Sequence, residues 1–495
     1  MAARDCVRFY LDGELVEIRH VDPTRTVLQF LREDRARVGT KEGCAEGDCG
    51  ACTVVLVELD DTGTGLVTRA VNACIQFVAT LDGKELLTVE SLAGPRGELH
   101  PVQRAMVEEH GSQCGFCTPG FVMSLFALFK SNPAPDRVAI DDALAGNLCR
   151  CTGYRPIIAA AERMGELADE GDWLTAKAGQ AADSSERIAR LAALKDGADI
   201  AVGNRRRRFL APASLASLAA AVAAEPDATL LAGGTDVGLW VTKQYRDLDP
   251  VIYTGRVDEL RAITRTESAI EFGAAVTLTE VVPVLLEHYP ELEELFLRWA
   301  SPPIRNAATL AGNVANGSPI GDSMPALMAV GSEVVLRHGD SQRTLRLEDF
   351  YLDYQVKDLK PGEFVEAVRV PLPSPTSVTR SYKVSKRFDQ DITAVCLAAN
   401  FDLIDGSARN VRLVYGGMAA TIRRAEAAEA ALEGQELGDA AIAEAMAAVE
   451  KDFEPLSDMR ASAAYRWAIS RNLLKRLQHD VEGNFESVYS YGRAS

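Results

Sequence analysis

No part of this sequence reads as an export signal or a membrane span. The N-terminus, M-A-A-R-D-C-V-R-F-Y, lacks the apolar core of a signal peptide. The longest uncharged stretch, 111–129, is interrupted by glycine, serine, glutamine, threonine and proline, so it is not expected to cross a bilayer. Basic residues are in deficit, 53 Lys and Arg against 71 Asp and Glu, for a net charge of −18. That balance excludes nucleic acid as an expected partner, because phosphate contacts need a positive surface. Arg205 to Arg208 is one short basic run and reads as solvated. Histidine is scarce; the six residues at 20, 100, 110, 288, 338 and 479 show no metal-ligand spacing. No G-x-G-x-x-G follows an apparent strand and no G-x-x-x-x-G-K-[ST] occurs, so neither a Rossmann nor a P-loop nucleotide site is expected. The 495 residues are 47% hydrophobic and 25% charged, enough for three or four domains with large cores. With thiols present and no export signal, a cytoplasmic protein without a disulfide framework is expected.

Cysteine is what the sequence concentrates. Eight of the ten lie between 44 and 151, in two groups of four. Cys44, Cys49, Cys52 and Cys74 show a four-residue gap, a two-residue gap and a distant fourth thiol, the plant-type spacing for a [2Fe–2S] cluster. A structural zinc site would more often pair C-x₂-C with C-x₂-C or with histidines. The cluster is compact and its sulfides are negative, so the loop must curl and aim N–H groups inward. Gly43, Gly47 and Gly50 are expected to allow that path through positive φ. Cys114 and Cys117, then Cys149 and Cys151, form C-x₂-C with a distant C-x-C. Alone, that spacing is open between zinc and a cluster; beside the first quartet, a second [2Fe–2S] centre is the better reading.

Along the chain, alternating apolar residues around Asp12-Gly13 predict a hairpin. Thr26 to Arg32 predicts a short helix and Thr53 to Leu59 a strand, together a β-grasp. From His100 the pattern turns helical, with Val102, Met106 and Val107 on one face and Thr118-Pro119 as N-cap and N1 of the next helix. Asp141 to Leu148 and Pro156 to Leu167 are expected as further helices. Residues 168–203 read as a linker with some helical content. Ser214 to Ala224 reads as a helix leading into a strand and the glycine turn of A-G-G-T-D. That turn, Arg305 to Asn313 and Ser318 to Asp322 could let backbone approach a bulky anion, a weak signal on its own. Strands are expected at Phe364 to Val370, Ile392 to Ile404 and Val411 to Tyr415. The stretches 424–450 and 459–479 are expected to be helical, the latter with Tyr465, Ile469, Leu473 and Leu477 on one stripe. Cys6 and Cys396 read as buried thiols.

K-E-G-C-A-E-G-D-C-G-A-C-T, G-S-Q-C-G-F-C-T-P-G, A-G-N-L-C-R-C-T-G-Y, A-G-G-T-D and A-T-L-A-G-N-x₄-S-P-I-G-D together resemble the molybdenum hydroxylases, and their order is most similar to the purine-oxidising branch. The resemblance implies a multidomain α+β chain: a β-grasp 2Fe–2S ferredoxin domain at 1–90 and a helical-bundle 2Fe–2S domain at 91–167. After the linker it implies an FAD-binding domain of vanillyl-alcohol-oxidase type at 204–377 and a small α/β C-terminal domain at 378–495. It makes the two cysteine quartets cluster ligands. It places the flavin diphosphate along Leu230, Leu231, Ala232, Gly233, Gly234, Thr235, Asp236 and Val237, with Thr309, Leu310, Ala311, Gly312, Asn313 and Asp322 completing the pocket. Trp299, in place of a phenylalanine of the eukaryotic relatives, would face the isoalloxazine. Val365, often leucine in the family, and Lys383 would also contact FAD, and Gln113 would reach molybdopterin. On residues alone, Trp299 reads as core packing and Lys383 as a solvated charge.

Nothing in the sequence resembles a molybdopterin-binding domain, so a partner large subunit is expected to carry that cofactor, in a dimer of heterodimers. No catalytic base or nucleophile is expected on this chain. Electrons from purine hydroxylation would pass through the helical cluster and the ferredoxin cluster to FAD and then to NAD⁺. The rival expectations are an aldehyde- or N-heterocycle-oxidising relative, a stand-alone iron–sulfur flavoprotein and a zinc-stabilised scaffold.

Overall fold

Asp12 and Gly13 both take positive φ and join β1 (Val7–Leu11) to β2 (Glu14–Ile18), the expected hairpin. The computed structural model describes residues 3–94, 97–167 and 184–484. It contains two compact units, Met1–Asp258 with Ser301–Ala308, and Glu259–Ala300 with Thr309–Ser495. The multidomain α+β reading holds.

In the first unit, β3 (Thr53–Leu59), β4 (Leu66–Asn72) and β5 (Glu85–Leu87) complete a five-stranded sheet in the order β2-β1-β5-β3-β4, with β1 and β5 parallel. The unbroken apolar run Val54 to Val57 has a physical reason, because both faces of β3 are covered. Val54 and Leu56 join Phe9, Leu31 and Val71 in one core, whereas Val55 and Val57 pack with Phe121, Phe126 and Ile157 of the helices. The predicted helix at 26–32 is a short turn, Val27–Gln29, continued by a π-helical turn, Phe30–Asp34. Thr26 and Gln29 close a capping box at its start.

The helices that follow are Pro101–Glu108, Thr118–Ser131, Arg137–Leu144 and Arg155–Met164. Three expectations are corrected here. Val107 is 63% exposed while Val102 and Met106 are buried. Cys117, not Thr118, is the N-cap of the second helix. The third helix begins four residues earlier than predicted because Asp136 caps it, accepting from the Ala139 N–H.

Of the expected linker, 168–183 lies outside the described residues; the rest contains a helix, Ser184–Leu194, and β6 (Ile200–Gly203). Strand β6 edges a second sheet, β6-β7-β9-β8, with β7 at Arg208–Ala211, β8 at Thr229–Leu231 and β9 at Val251–Tyr253. Ile200, Phe209, Leu231 and Val251 belong to the same core as the ferredoxin strands. Arg4 joins the two sheets by donating to the Asp199 carbonyl at 2.7 Å and accepting from the Ala201 N–H at 2.9 Å. Its guanidinium bonds Asp82 at 2.7 Å, and Arg8 bonds Asp196 at 2.6 Å.

The second unit holds a sheet of Ile263–Arg265, Ala269–Gly273, Phe364–Pro371, Glu333–His338 and Ser341–Arg346 in that order. Another sheet runs Ser377–Val384, Val395–Ile404, Ser407–Gly416 and Arg423–Arg424, backed by helices Glu426–Leu432, Asp439–Asp452 and Ala463–Val481. The predicted helix 424–450 is two helices, with Gly434 at φ +78 between them. In the last helix Leu473 and Leu477 are buried as expected, but Tyr465 is 47% exposed, and Arg466 is buried at 2%. Arg466 donates to the Ala394 and Gly417 carbonyls and pairs with Asp458 at 2.8 Å.

Burial raises the Asp458 pKa, but the Ala461 and Arg460 N–H groups and Arg466 outweigh it and hold the carboxyl down at about 2. A depressed folded pKa gives stability that is present above the ordinary value of 3.8 and is lost as pH falls toward about 2. Asp458→Asn is therefore expected to flatten the acid limb of the unfolding midpoint between about pH 4 and 2. Thermal melts of wild type and variant across that range check it; identical limbs would contradict it.

Candidate functional site

The first thiol quartet sits where the loop 43–52 curls against the start of β3 and the end of β4. Three backbone N–H groups, of Glu46, Asp48 and Cys49, donate to the Cys44 sulfur at 3.3–3.4 Å. The expected inward-pointing amides are thus present. Gly47 and Gly50 have positive φ as expected, but Gly43 does not, and Ala45 takes the left-handed position instead. Gly43 is needed for space, since a Cβ there would lie 2.7 Å from the Cys49 sulfur.

Hydrogen bonds from the Cys49 and Cys74 thiols lower the Cys44 pKa far below the usual thiol value. The bond to Cys44 in turn raises Cys49, and bonds to Cys44 and Cys52 raise Cys74. Four sulfurs are therefore linked in reach of one another, and without a cation only a fraction can ionise together. Such a donor set fits a cationic iron–sulfur centre, which would hold all four as thiolates.

The second quartet lies at helix ends. Cys117 precedes Thr118–Ser131, and Cys149 and Cys151 precede Arg155–Met164. Burial and then Cys149 push Cys117 up to about 12. Burial pushes Cys149 up as well, but the Thr152 hydroxyl and N–H outweigh it and lower the thiol. The Cys114 sulfur raises Cys151. Cys114 and Cys151 are exposed and Cys149 is buried, so this quartet opens to the surface. Gln113 is exposed beside it. Among the described residues no three His, Cys, Asp or Glu side chains form a single-ion chelate.

The two loops are joined directly. The Leu148 N–H donates to the Cys49 carbonyl at 3.0 Å. Buried Asn147 donates to the Gly50 carbonyl at 3.1 Å and accepts from the Ser124 hydroxyl at 2.7 Å. Sequence reasoning missed Asn147; its place in A-G-N-L-C next to a ligand was the available signal.

The glycine turn follows β8 as expected. Residues 232 to 237 are partly exposed, and a Cβ on Gly233 would fall 1.8 Å from the Ala307 carbonyl oxygen. Gly234 takes φ +73, and a Cβ on Gly238 would meet Ile75, the neighbour of Cys74, at 2.7 Å. Lys243 donates to the Cys44 carbonyl. The helix after the turn expected to hold the diphosphate therefore reaches Cys44 and the neighbour of Cys74, and the turn's small side chains fit close approach of a phosphate.

The remaining expected flavin residues are in the second unit. Thr309 caps helix Leu310–Asn316, accepting from the Gly312 N–H at 3.0 Å, and Leu310 and Ala311 are buried. Asn313 accepts from the Ser323 hydroxyl at 2.6 Å. Lys383 is not solvated. It is 7% exposed and donates to Asp322 at 2.6 Å and to the Arg298 carbonyl at 3.2 Å. Asp322 also accepts from Thr393. Trp299 is buried against Phe296, with ring centroids 5.9 Å apart, and Val365 is buried in its strand. Thr393 and Arg298 are additions that hydropathy could not supply.

Four family matches cover most of the chain. Residues 9–78 match a 2Fe-2S iron-sulfur cluster binding domain and 88–162 a [2Fe-2S] binding domain. Residues 204–373 match the FAD binding domain in molybdopterin dehydrogenase, and 380–481 the CO dehydrogenase flavoprotein C-terminal domain. The chain belongs to the molybdenum hydroxylases, as their iron–sulfur and flavin part. It is 33% identical to xanthine dehydrogenase of Emericella nidulans over 98% of this chain and 39% of that one. With xanthine dehydrogenase/oxidase of Gallus gallus the identity is 32%, over 83% of this chain and 35% of that one. The chain thus spans little more than a third of these relatives. A solved structure of carbon monoxide dehydrogenase from Hydrogenophaga pseudoflava is similar over 55% of this chain and 95% of its own, with TM-score 0.52 and 28% identity. As a molybdenum hydroxylase chain, the protein has two 2Fe–2S domains and an FAD-binding domain. Among the described residues no helix is long and apolar enough to cross a membrane.

Proposed function

We propose that this chain is the electron-export half of a xanthine dehydrogenase. Its substrate electrons would come from hypoxanthine or xanthine hydroxylated at a molybdopterin cofactor on a large partner subunit, and NAD⁺ would receive them. The observation that carries this reading is the run of xanthine dehydrogenases at 32–33% identity over 83–98% of the chain, matching both iron–sulfur and flavin parts in one polypeptide.

Two clusters and FAD, when bound, supply one-electron transfer and its conversion to two-electron hydride chemistry. The residues here do the holding. Cys44, Cys49, Cys52 and Cys74 would ligate one cluster, with the three amides on Cys44 offsetting the negative charge of its sulfur. Cys114, Cys117, Cys149 and Cys151 would ligate the other, whose exposed side, with Gln113, suits approach of the molybdopterin subunit. Residues 230 to 237 would take the flavin diphosphate, and Thr309 to Asn313, Asp322, Trp299, Val365 and Lys383 are the further FAD contacts proposed. A dimer of heterodimers in the cytoplasm completes the proposal.

Tagged chain expressed with its neighbouring genes is expected to co-purify with a large molybdenum subunit and to give xanthine-dependent NADH. A chain that purifies alone, or a complex that oxidises an aldehyde or another heterocycle but not xanthine, would overturn the reading.

A further inference from the structure

Residues 301–308 depart from the flanking chain and pack within the first unit. This eight-residue segment touches the first cysteine loop, the loop before Cys149 and Cys151, and the glycine turn. Ser301 and Pro303 lie against Gly146 of the second cysteine loop, where an added Cβ would come within 3.0 and 2.9 Å of them. Arg305 is 8% exposed and grips Asp142 of helix Arg137–Leu144 with two bonds of 2.6 and 2.8 Å. Asn306 donates to the Ala70 carbonyl on β4 at 2.9 Å. Ile304 approaches Gly47 of the first cysteine loop, and the Ala307 carbonyl lies over Gly233 of the glycine turn.

The segment is stiff for its length. Pro302 and Pro303 fix two consecutive φ angles at the start of the short helix Pro302–Arg305. A charge-assisted contact of one Arg305 nitrogen with both Asp142 oxygens holds the segment to that helix.

We propose that 301–308 is a spacer that sets the separation of the two thiolate quartets from each other and from the Gly233 turn, with Arg305 as its positioning residue. This rests on the reading of both quartets as clusters. Electron tunnelling falls exponentially with distance, so a small displacement of either loop changes the transfer rate while leaving the ligands in place.

The test compares the intact complex with Arg305→Gln, Arg305→Lys and the charge-reversed pair Arg305→Asp with Asp142→Arg. Three quantities are read: iron and acid-labile sulfide per chain, the magnetic interaction between the two reduced clusters by EPR, and the rate of electron redistribution to the flavin after a reducing pulse. Arg305→Gln is expected to keep its iron and sulfide, change the magnetic interaction and slow redistribution severalfold. Arg305→Lys and the reversed pair are expected to regain part of both. An Arg305→Gln complex with unchanged interaction and rate overturns the proposal. So does one whose rate falls only in proportion to lost clusters. The wild-type spectrum tests the cluster reading separately, because that reading fails if two signals are absent before any substitution is made.

Discussion

Gly50→Val is expected to cost the first unit about 3–5 kcal/mol, combining a left-handed residue with overpacking. The backbone at Gly50 has φ +68, where a β-branched side chain is strained by about 1–2 kcal/mol. A Cβ there would also lie 2.2 Å from the Gly146 carbonyl oxygen and 2.9 Å from the Asn147 Cα, backbone atoms that have no rotamer to retreat into. Opposite them, a Cβ at Gly120 would come within 2.1 Å of the Gly50 oxygen, so the junction is closed from both sides. Gly83→Val offers a control with φ +79 and nothing within 4 Å, and it is expected to lose only the backbone part, about 1–2 kcal/mol. Urea unfolding of both variants, with iron content measured alongside, checks the difference. Equal midpoints for the two substitutions would show that the loops are not in contact as described.

Lys383→Met is expected to destabilise the second unit by about 3–5 kcal/mol, the usual consequence of leaving one buried charge without its partner. The Lys383 and Asp322 side chains are 2% and 7% exposed, so water cannot replace the lost ammonium. Thr393 would remain as a donor to Asp322, one neutral hydrogen bond where a charged one also stood. Replacing both, as Lys383→Met with Asp322→Leu, is expected to recover much of the loss because the desolvation cost disappears with the charge. Denaturant unfolding of the singles and the double forms a cycle that checks this. If the double loses the sum of the singles, the pair is not coupled. The same cycle read by flavin content reports whether the two residues also serve the nucleotide.

The elements that could be read from sequence were those in which one chemical type repeats at a fixed spacing. The cysteine quartets were legible because thiolate ligands must recur at intervals set by a loop. The hairpin at Asp12-Gly13 and the strand Thr53–Leu59 followed from turn chemistry and β-branching. Where charge is buried, hydropathy pointed the wrong way. Arg466 occupies the inward face that Tyr465 was expected to take, because two carbonyls and Asp458 satisfy it. Lys383 read as solvated for the same reason. The first cysteine loop bends at Ala45 where Gly43 was expected to, since Gly43 is used for clearance from Cys49. The role of 301–308 was hidden altogether, because its contacts reach residues 47, 70, 142, 146 and 233, far away in sequence.

The central claim is that both thiol quartets hold iron and sulfide. Metal and acid-labile sulfide analysis of anaerobically isolated protein, with EPR after reduction, tests it most directly. About four irons and four sulfides per chain and two distinct [2Fe–2S] signals are expected. Stoichiometric zinc with no acid-labile sulfide would contradict it.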